Sequence, residues 1–196
     1  MNLFITLYDE KDKDRLGELM ECYAKNKANP FIKKIFILNE GLELMHEPQL
    51  RVNGRTTYSS IFSYINSVSY KQDVNIIANS DIYFDETIEL AKYIKPNECY
   101  ALCRQEMPQN YKGGSQDVWI FRGRIRPTLK ANFPIGFPGC DNRLAFVIDK
   151  AGYEVKNPCE QILCWHNHKS EEGGNWYHSP EAAEPIVTGK PMGKLA

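Results

Sequence analysis

The sequence predicts an α/β fold in which a mostly parallel central β-sheet is flanked by helices. Strand-length apolar segments alternate with amphipathic helical segments along most of the chain, which is the pattern of βαβ units. The chain has 196 residues, 42% of them apolar and 25% charged, which suits one folded domain with a sizeable core. Because the chain beyond Ser179 is rich in Pro, Gly, Ala and Lys and lacks periodicity, we predict one domain over residues 1–178 and a tail or linker over residues 179–196.

The first half of the chain begins and ends with apolar runs that predict buried strands. Between them, apolar residues at helical spacing predict two amphipathic helices, and the first of these ends before Pro30. The predicted elements are a strand at 3–8, a helix at 12–27, a strand at 34–39, a helix at 57–70 and a strand at 74–79.

The second half of the chain continues the alternation with shorter elements. Asp85 is placed to cap the helix that follows it, and Pro96 ends that helix. A Pro- and Gly-rich turn at 134–139 leads into the last helix. The predicted elements are a helix at 86–94, strands at 99–103 and 117–121, a helix at 141–151, and strand-like pieces at 153–155 and 162–165.

The charge balance and the hydrophobic pattern exclude several classes of protein. Lys and Arg number 24 and Asp and Glu 25, so the chain offers no overall basic surface for nucleic acid. Its apolar segments are strand-sized and broken by charge, so we expect no membrane span, and its first residues do not have the pattern of a signal peptide. The six scattered cysteines are expected to be free thiols in a reducing compartment, which predicts a cytoplasmic location.

A polar tripeptide, Asn79-Ser80-Asp81, ends the strand predicted at 74–79. Ligands of open α/β sheets bind at the carboxyl ends of the strands, so Asn79 and Asp81 are expected to face a ligand. The Asp81 carboxylate suits a hard divalent cation, which in turn binds phosphate oxygens. The alternative is a structural Asx turn or a helix cap, although Asp85 is better placed to be the cap.

Two histidines lie two residues apart in Cys164-Trp-His166-Asn-His168. On an extended segment His166 and His168 fall on one face, so both imidazoles can bind the same metal ion. A pair of surface histidines is one alternative. A zinc site that also includes Cys159 and Cys164 is another, although its spacing matches no common structural zinc pattern.

Asp117 and Asp141 are the candidate acid–base residues. Asp141 lies after Gly139 and before a helix, where a carboxylate caps the helix or, beside a cleft, accepts a proton from a substrate hydroxyl. Asp117, just before a predicted strand, is the rival. Arg143, two residues after Asp141, can pair with an anionic substrate group.

Three further residues are candidate substrate contacts. Trp119 can stack on a sugar ring or belong to the core. Arg55 and Tyr58, at the entry to the helix predicted at 57–70, are candidates for contacting a diphosphate and a base, with an exposed helix start as the alternative. The motifs of P-loop NTPases, dinucleotide oxidoreductases and α/β-hydrolases do not occur in the sequence.

Taken together, these residues resemble the glycosyltransferases of the GT-A fold, in which a D-x-D-type motif ends a central strand and a late histidine often completes the metal shell. In this resemblance the motif is Asn79-Ser80-Asp81 and the histidine is His166 or His168. One departure is that Asn79 stands where the motif has its first Asp, so Asp81 alone brings a charge to the metal. The order of motifs also resembles glycosyltransferase domains encoded by chlorella viruses, which implies a viral origin and further domains in a longer polypeptide.

The resemblance implies a Rossmann-like sandwich that transfers a hexose or deoxyhexose from a nucleoside-diphosphate sugar, with UDP favoured, to a glycan hydroxyl. It implies Mn²⁺ or Mg²⁺ as the cofactor and Asp141 as the base of an inverting reaction. Thr6, Tyr8 and Asp9, at the end of the first strand, are implied to face the base and ribose. The alternatives are a metal-dependent phosphoesterase or nucleotide hydrolase, and a non-catalytic module that binds sugar nucleotides.

Overall fold

The computed structural model describes residues 1–44, 46–106, 110–111, 116–137 and 139–168. The predicted tail at 179–196 and the end of the predicted domain lie outside these residues. The strands, in chain order, are β1 (Asn2–Tyr8), β2 (Lys34–Glu40), β3 (Gln49–Arg51), β4 (Val74–Ala78), β5 (Ile82–Phe84), β6 (Glu98–Leu102), β7 (Gln105–Glu106), β8 (Asn110–Tyr111), β9 (Val118–Arg122), β10 (Glu154–Lys156) and β11 (Cys164–His166). The helices are α1 (Lys13–Ala28), α2 (Tyr58–Val68), a 3₁₀ helix at Glu86–Tyr93, and α3 (Cys140–Lys150).

The central sheet of the described chain has seven strands in the order β10-β6-β9-β4-β1-β2-β3. The strand β9 runs antiparallel to both of its neighbours, and every other pairing in this sheet is parallel. The prediction of a mostly parallel sheet is therefore confirmed. A second sheet, in the order β5-β11-β7-β8, lies beyond the carboxyl end of β4.

Apolar side chains cover both faces of the central sheet. One face packs against α2 and α3, whose buried residues include Ile61, Ile65 and Leu144. The other face packs against the 3₁₀ helix and the second sheet. Strands buried on both sides read as continuous apolar runs, which is why β1, β2, β4 and β6 were recognisable in the sequence.

The predicted strands and helices are present, with differences in their details. The segment predicted as a helix at 86–94 is a 3₁₀ helix, and Asp85 caps it by accepting from the amide of Thr87. The prediction did not include β3, β5, β7 and β8, which are two or three residues long and too short for a hydrophobic pattern; β3 is also wholly exposed. No helix in the described part of the chain has both the length and the apolar character needed to cross a bilayer.

Candidate metal and nucleotide site

Asp81 lies in the turn between β4 and β5, at the carboxyl edge of the central sheet. The amide of Asn79 donates to the carbonyl of Asp117 at 3.2 Å, and the hydroxyl of Ser80 donates to the carbonyl of Thr6 in β1. These bonds fix the turn beside the end of β1, where ligands of open α/β sheets bind.

The second sheet brings the late histidines to this turn. The strand β11 runs antiparallel to β5, with His166 opposite Ile82, and the amide of Asn167 donates to the carbonyl of Asp81 at 2.9 Å. This pairing places His166 beside Asp81, although the two residues are 85 positions apart in the chain.

Asp81, His166 and His168 form a cluster that suits a divalent cation. One potential ligand atom from each of these residues lies within 4.8 Å of the others. The Nε2 atom of His166 is 3.3 Å from Oδ2 of Asp81, and the two imidazole rings are 5.4 Å apart between centroids. One carboxylate and two imidazoles form a mixed oxygen and nitrogen donor set for a divalent cation, to which the carboxylate is the donor that suits Mn²⁺ best. The structure thus brings together the three residues that the sequence suggested as metal ligands.

Arg15, which the sequence analysis did not identify, also contacts this cluster. Its guanidinium donates to Oδ2 of Asp81 and, at 2.8 Å, to Oε2 of Glu18. The side chains of Arg15 and Asp81 are only 16% and 15% exposed, so this ion pair is largely shielded from water. A sequence signal does exist, because Arg15 lies in the first turn of α1, where the helix dipole favours acidic rather than basic side chains.

Two pKa shifts describe the electrostatics of the cluster. Burial raises the pKa of Asp81, but His166 and Arg15 outweigh it and hold that pKa well below its ordinary value. Burial and the positive charges nearby, Arg15 foremost, lower the pKa of His168 from its ordinary 6.5. At neutral pH the cluster therefore offers an ionised carboxylate and, at His168, a neutral imidazole with a lone pair for a metal.

Asp117 lies beside the metal cluster but is held by its neighbours. Its Oδ1 atom accepts from the side-chain amide of Asn79 at 3.0 Å and lies 3.5 Å from the guanidinium of Arg104. The residue is 8% exposed. This arrangement ties Asn79 to Asp117 and gives the carboxylate a clear structural role.

Asp141 lies in the first turn of α3, which begins after Gly139. The N-cap residue of this helix is Gly139 rather than Asp141, and Oδ2 of Asp141 accepts from the amide of Gln116 at 3.3 Å. The residue is partly exposed, and Gln116 directly precedes Asp117, so Asp141 is linked to the segment that contacts Asn79. The guanidinium of Arg143 lies over the ring of Phe133, 4.7 Å from its centroid.

Five of the predicted nucleotide contacts lie at or beside the end of β1. Thr6 lies with its hydroxyl 3.4 Å from that of Ser80. The guanidinium of Arg55 lies 5.8 Å from the ring centroid of Tyr8. Arg55 is also held by Glu40, at the end of β2, at 3.4 Å. Asp9 lies next in the chain, exposed and paired with Lys11.

Tyr58 and Trp119 lie in the core rather than at the cleft. They are 2% and 1% exposed, and the hydroxyl of Tyr58 is 3.7 Å from Sγ of Cys140. A side chain so enclosed cannot meet a nucleotide unless the core opens, so the site described here does not include these two residues.

The zinc alternative also loses support from the geometry. The six cysteines all lie in the described residues and form no disulfide bond, and Cys164 directs its Sγ to the carbonyl of Cys103 in the core at 3.3 Å. The third potential metal ligand beside His166 and His168 is the carboxylate of Asp81.

Comparisons with known proteins identify the fold. No protein-family model matches the chain, and no curated protein sequence matches it significantly. Its structure resembles the catalytic domain of Drosophila β1,4-galactosyltransferase 7 in complex with xylobiose, with a TM-score of 0.55 and 17% identity over 95% of this chain and 76% of that one. A mutant of the same enzyme, in complex with manganese, UDP-Gal and xylobiose, is similar with a TM-score of 0.50. The sequence identity is 14%, and the match covers 96% of this chain and 82% of that one.

A third solved structure is similar over a smaller part of its own length. The mannosyltransferase PcManGT from Pyrobaculum calidifontis, in complex with GDP-Man and Mn²⁺, gives a TM-score of 0.53 and 12% identity over 88% of this chain and 57% of that protein. Likeness at such low identity concerns the fold and not the activity. The chain has the GT-A fold of these glycosyltransferases.

Proposed function

We propose that this protein is a metal-dependent glycosyltransferase that transfers a hexose or deoxyhexose from a nucleoside-diphosphate sugar, with UDP favoured, to a glycan hydroxyl. The observation that carries the proposal is the cluster of Asp81, His166 and His168 at the carboxyl edge of a GT-A sheet. The neighbours of the same fold are galactosyl- and mannosyltransferases whose structures hold manganese and nucleotide sugars.

Mn²⁺, or Mg²⁺ in its place, is the cofactor of this proposal, with Asp81, His166 and His168 as its ligands. When bound, such a cation offsets the negative charge that develops on the leaving diphosphate. Arg15 donates to both Asp81 and Glu18 and helps to keep the Asp81 carboxylate ionised beside the two histidines.

In an inverting transfer, the acceptor hydroxyl must lose its proton as it attacks the anomeric carbon. Asp141 is the proposed general base, because its carboxylate is partly exposed and, within the described residues, accepts a hydrogen bond only from the amide of Gln116. Asp117 is the less favoured candidate, because Asn79 and Arg104 hold its carboxylate in a buried position.

The end of β1 is the proposed place of the nucleoside. Thr6, Tyr8 and Asp9 offer a hydroxyl, an aromatic ring and a carboxylate at the strand end. Arg55, above the ring of Tyr8, is a cation within reach of a phosphate. Arg143 remains a candidate for an anionic group of the substrate.

The two alternative functions differ from this one in their site chemistry. A phosphoesterase with two metal ions gathers several carboxylates, whereas the metal cluster found in the described residues has one. A module that only binds sugar nucleotides would keep the metal cluster but would not turn over its ligand. The cytoplasmic location, the viral origin and the attachment to further domains stay predictions.

The test measures binding and turnover separately. A panel of UDP, GDP and CMP sugars is screened by thermal unfolding with Mn²⁺ and with EDTA, because a ligand that binds the folded state raises Tm by mass action. We expect one nucleoside-diphosphate sugar to raise Tm only when Mn²⁺ is present, and a glycan acceptor to gain that sugar. Hydrolysis of the donor to a nucleoside monophosphate and a sugar 1-phosphate, without sugar transfer, would identify a hydrolase, and binding without any turnover would identify a binding module.

A further inference from the structure

A pocket of about 460 Å³ opens at the edge of the central sheet opposite Asp81. It is lined by four basic residues and two tyrosines, namely Lys71, Arg122, Arg124, Arg126, Tyr70 and Tyr153. The strand β9 connects the two edges, since Val118 pairs with Ala78, next to the metal cluster, while Arg122 pairs with Val74. These ends of β9 lie roughly 13 Å apart along the strand, so the pocket is separate from the proposed active site.

Gly123 determines how the pocket is built. Its φ of +74° favours glycine, and a Cβ atom there would lie 2.8 Å from the carbonyl oxygen of Lys71. Its amide donates to the carbonyl of Asp73 at 2.7 Å. The turn after β9 is thereby held against the turn before β4, and this contact brings Lys71 close to Arg122 and Arg124.

The positive charges in this pocket are positioned but not neutralised. In the part of the chain that the structure describes, no carboxylate oxygen lies within 4.0 Å of the side-chain nitrogens of Lys71, Arg122, Arg124 or Arg126. The three guanidinium groups instead donate to backbone carbonyls, which hold them in place without cancelling their charge. These carbonyls belong to Gln72, Lys92 and Ile94 for Arg122, Ser69 for Arg124, and Ala151 and Gly152 for Arg126.

Like charges that converge on one pocket repel one another, and an anion in the pocket would offset that repulsion. Guanidinium groups match the oxygens of phosphate through paired charge-assisted hydrogen bonds. The ring of Tyr70 is 68% exposed at the rim and provides a flat apolar surface beside the charges. The volume suits a ligand of the size of a sugar phosphate.

We infer that the pocket lined by Lys71, Arg122, Arg124 and Arg126 is a second ligand site, which binds a phosphate-bearing anion. The phosphate group belongs either to a soluble phosphate ester or to the headgroup of an anionic lipid, since both present the same chemistry to these side chains. This site is independent of the metal cluster and of the glycosyltransferase function proposed above.

The test uses inorganic pyrophosphate as the soluble probe, titrated calorimetrically into the full chain in the presence of EDTA at low ionic strength. We expect binding that weakens as salt is added, since exposed charges are screened. Lys71→Gln and Arg124→Gln should each weaken it about tenfold or more, because each removes a charge-assisted hydrogen bond. Lys130→Gln, which removes an exposed charge elsewhere, should leave it unchanged.

Two further experiments complete the test. The first distinguishes this pocket from the proposed active site, and the second distinguishes a lipid ligand from a soluble phosphate ester. Asp81→Asn should retain the binding of pyrophosphate, because Asp81 lies at the other edge of the sheet. Cosedimentation with phosphatidylcholine vesicles that contain phosphatidic acid, and not with phosphatidylcholine alone, would identify the lipid source if Arg124→Gln abolishes it. The inference is overturned if neither probe binds, or if both pocket variants bind as the unchanged chain does.

Discussion

Arg15 donates a hydrogen bond to Oδ2 of Asp81, the same oxygen that lies 3.3 Å from Nε2 of His166. A guanidinium therefore shares the only carboxylate of the metal cluster found in the described residues. The ion pair stabilises the ionised carboxylate in the metal-free protein, and it also places a positive charge where a cation would bind. In the proposed function, Arg15 and a divalent cation would therefore compete for the same oxygen.

Replacing Arg15 by Gln should therefore strengthen the binding of Mn²⁺ alone. The substitution removes both a competitor for Asp81 and a like charge beside the metal. We expect the dissociation constant for Mn²⁺, measured by the electron paramagnetic resonance of free Mn²⁺, to fall by about threefold to tenfold. Lys13→Gln, which removes an exposed charge from the same turn of α1, is the matched control. Weaker or unchanged binding of Mn²⁺ in Arg15→Gln would contradict this competition.

Asp81→Asn should abolish the Mn²⁺-dependent binding of the sugar nucleotide. The amide keeps the size of the side chain but brings no charge to the metal, and the two imidazoles alone form a weak site for Mn²⁺. Calorimetry with Mn²⁺ and the best sugar nucleotide measures the effect. Asp149→Asn, an exposed carboxylate on α3, should bind as the unchanged chain does. If Asp81→Asn kept its affinity for the donor, Asp81 would have no part in the site.

His166→Ala should raise the Mn²⁺ concentration needed for activity more than His168→Ala does. The side chain of His166 is 7% exposed and lies on β11 next to Asp81, so its ring is already positioned. His168 follows the strand and is exposed, so it must lose more freedom on binding. Titration of activity with Mn²⁺ measures both, and His46→Ala serves as a control outside the cluster. The reverse order of the two midpoints would make His168 the principal ligand.

The position of Asp81 was predictable from sequence, whereas its full surroundings were not. An apolar strand that runs into polar residues places Asp81 at the carboxyl edge by a local pattern. The contact with Arg15 joins residues 66 positions apart and leaves no local signal beyond a basic side chain in the first turn of a helix. The antiparallel pairing of β11 with β5, which brings His166 to Asp81, is likewise a product of tertiary structure.

For Trp119 and Tyr58, the local sequence pattern suggested contact with the substrate, whereas the structure buries both side chains in the core. An aromatic residue near polar groups fits both a sugar-binding surface and a core. Trp119 pairs with Ile77 and Ala101 in the interior of the central sheet, so the register of β9 decides that it is buried. Such register is set by the assembled sheet and is not visible in the five residues of the strand.

Asp141→Asn should lower kcat by about 10²-fold to 10⁴-fold and leave the affinity for the donor nearly unchanged. An amide cannot accept the proton of the acceptor hydroxyl, whereas the contacts proposed for the nucleoside, Thr6, Tyr8 and Asp9, lie at the end of β1. Steady-state kinetics and calorimetry separate the two effects, and Asp149→Asn on the same helix is the control. A large loss of kcat in Asp117→Asn, with near-normal turnover in Asp141→Asn, would transfer the role of base to Asp117.

Glu98 provides a test of stability away from the site. Its side chain is 4% exposed and accepts from Nζ of Lys156 at 2.6 Å and from the amide of Lys95 at 3.0 Å. Burial raises the pKa of Glu98, but these two partners lower it by more, so the pKa lies below its ordinary 4.5 in the folded protein. A lowered pKa means that the ionised group stabilises the fold above about pH 4.5 and that this contribution is lost as the pH falls below it.

Glu98→Gln should therefore lower the free energy of unfolding by about 1–3 kcal/mol at pH 7, because it replaces a charged hydrogen-bond acceptor with a neutral one. The difference from the unchanged chain should shrink as the pH falls below 4.5, where Glu98 itself becomes neutral. Urea denaturation between pH 7 and pH 3 measures both. Glu154→Gln is the matched control, since Glu154 lies 3.5 Å from the same Lys156 but is 50% exposed, and such surface pairs contribute about 0–1 kcal/mol. A loss in Glu98→Gln that stays constant over this range would show that the charge of Glu98 does not stabilise the fold.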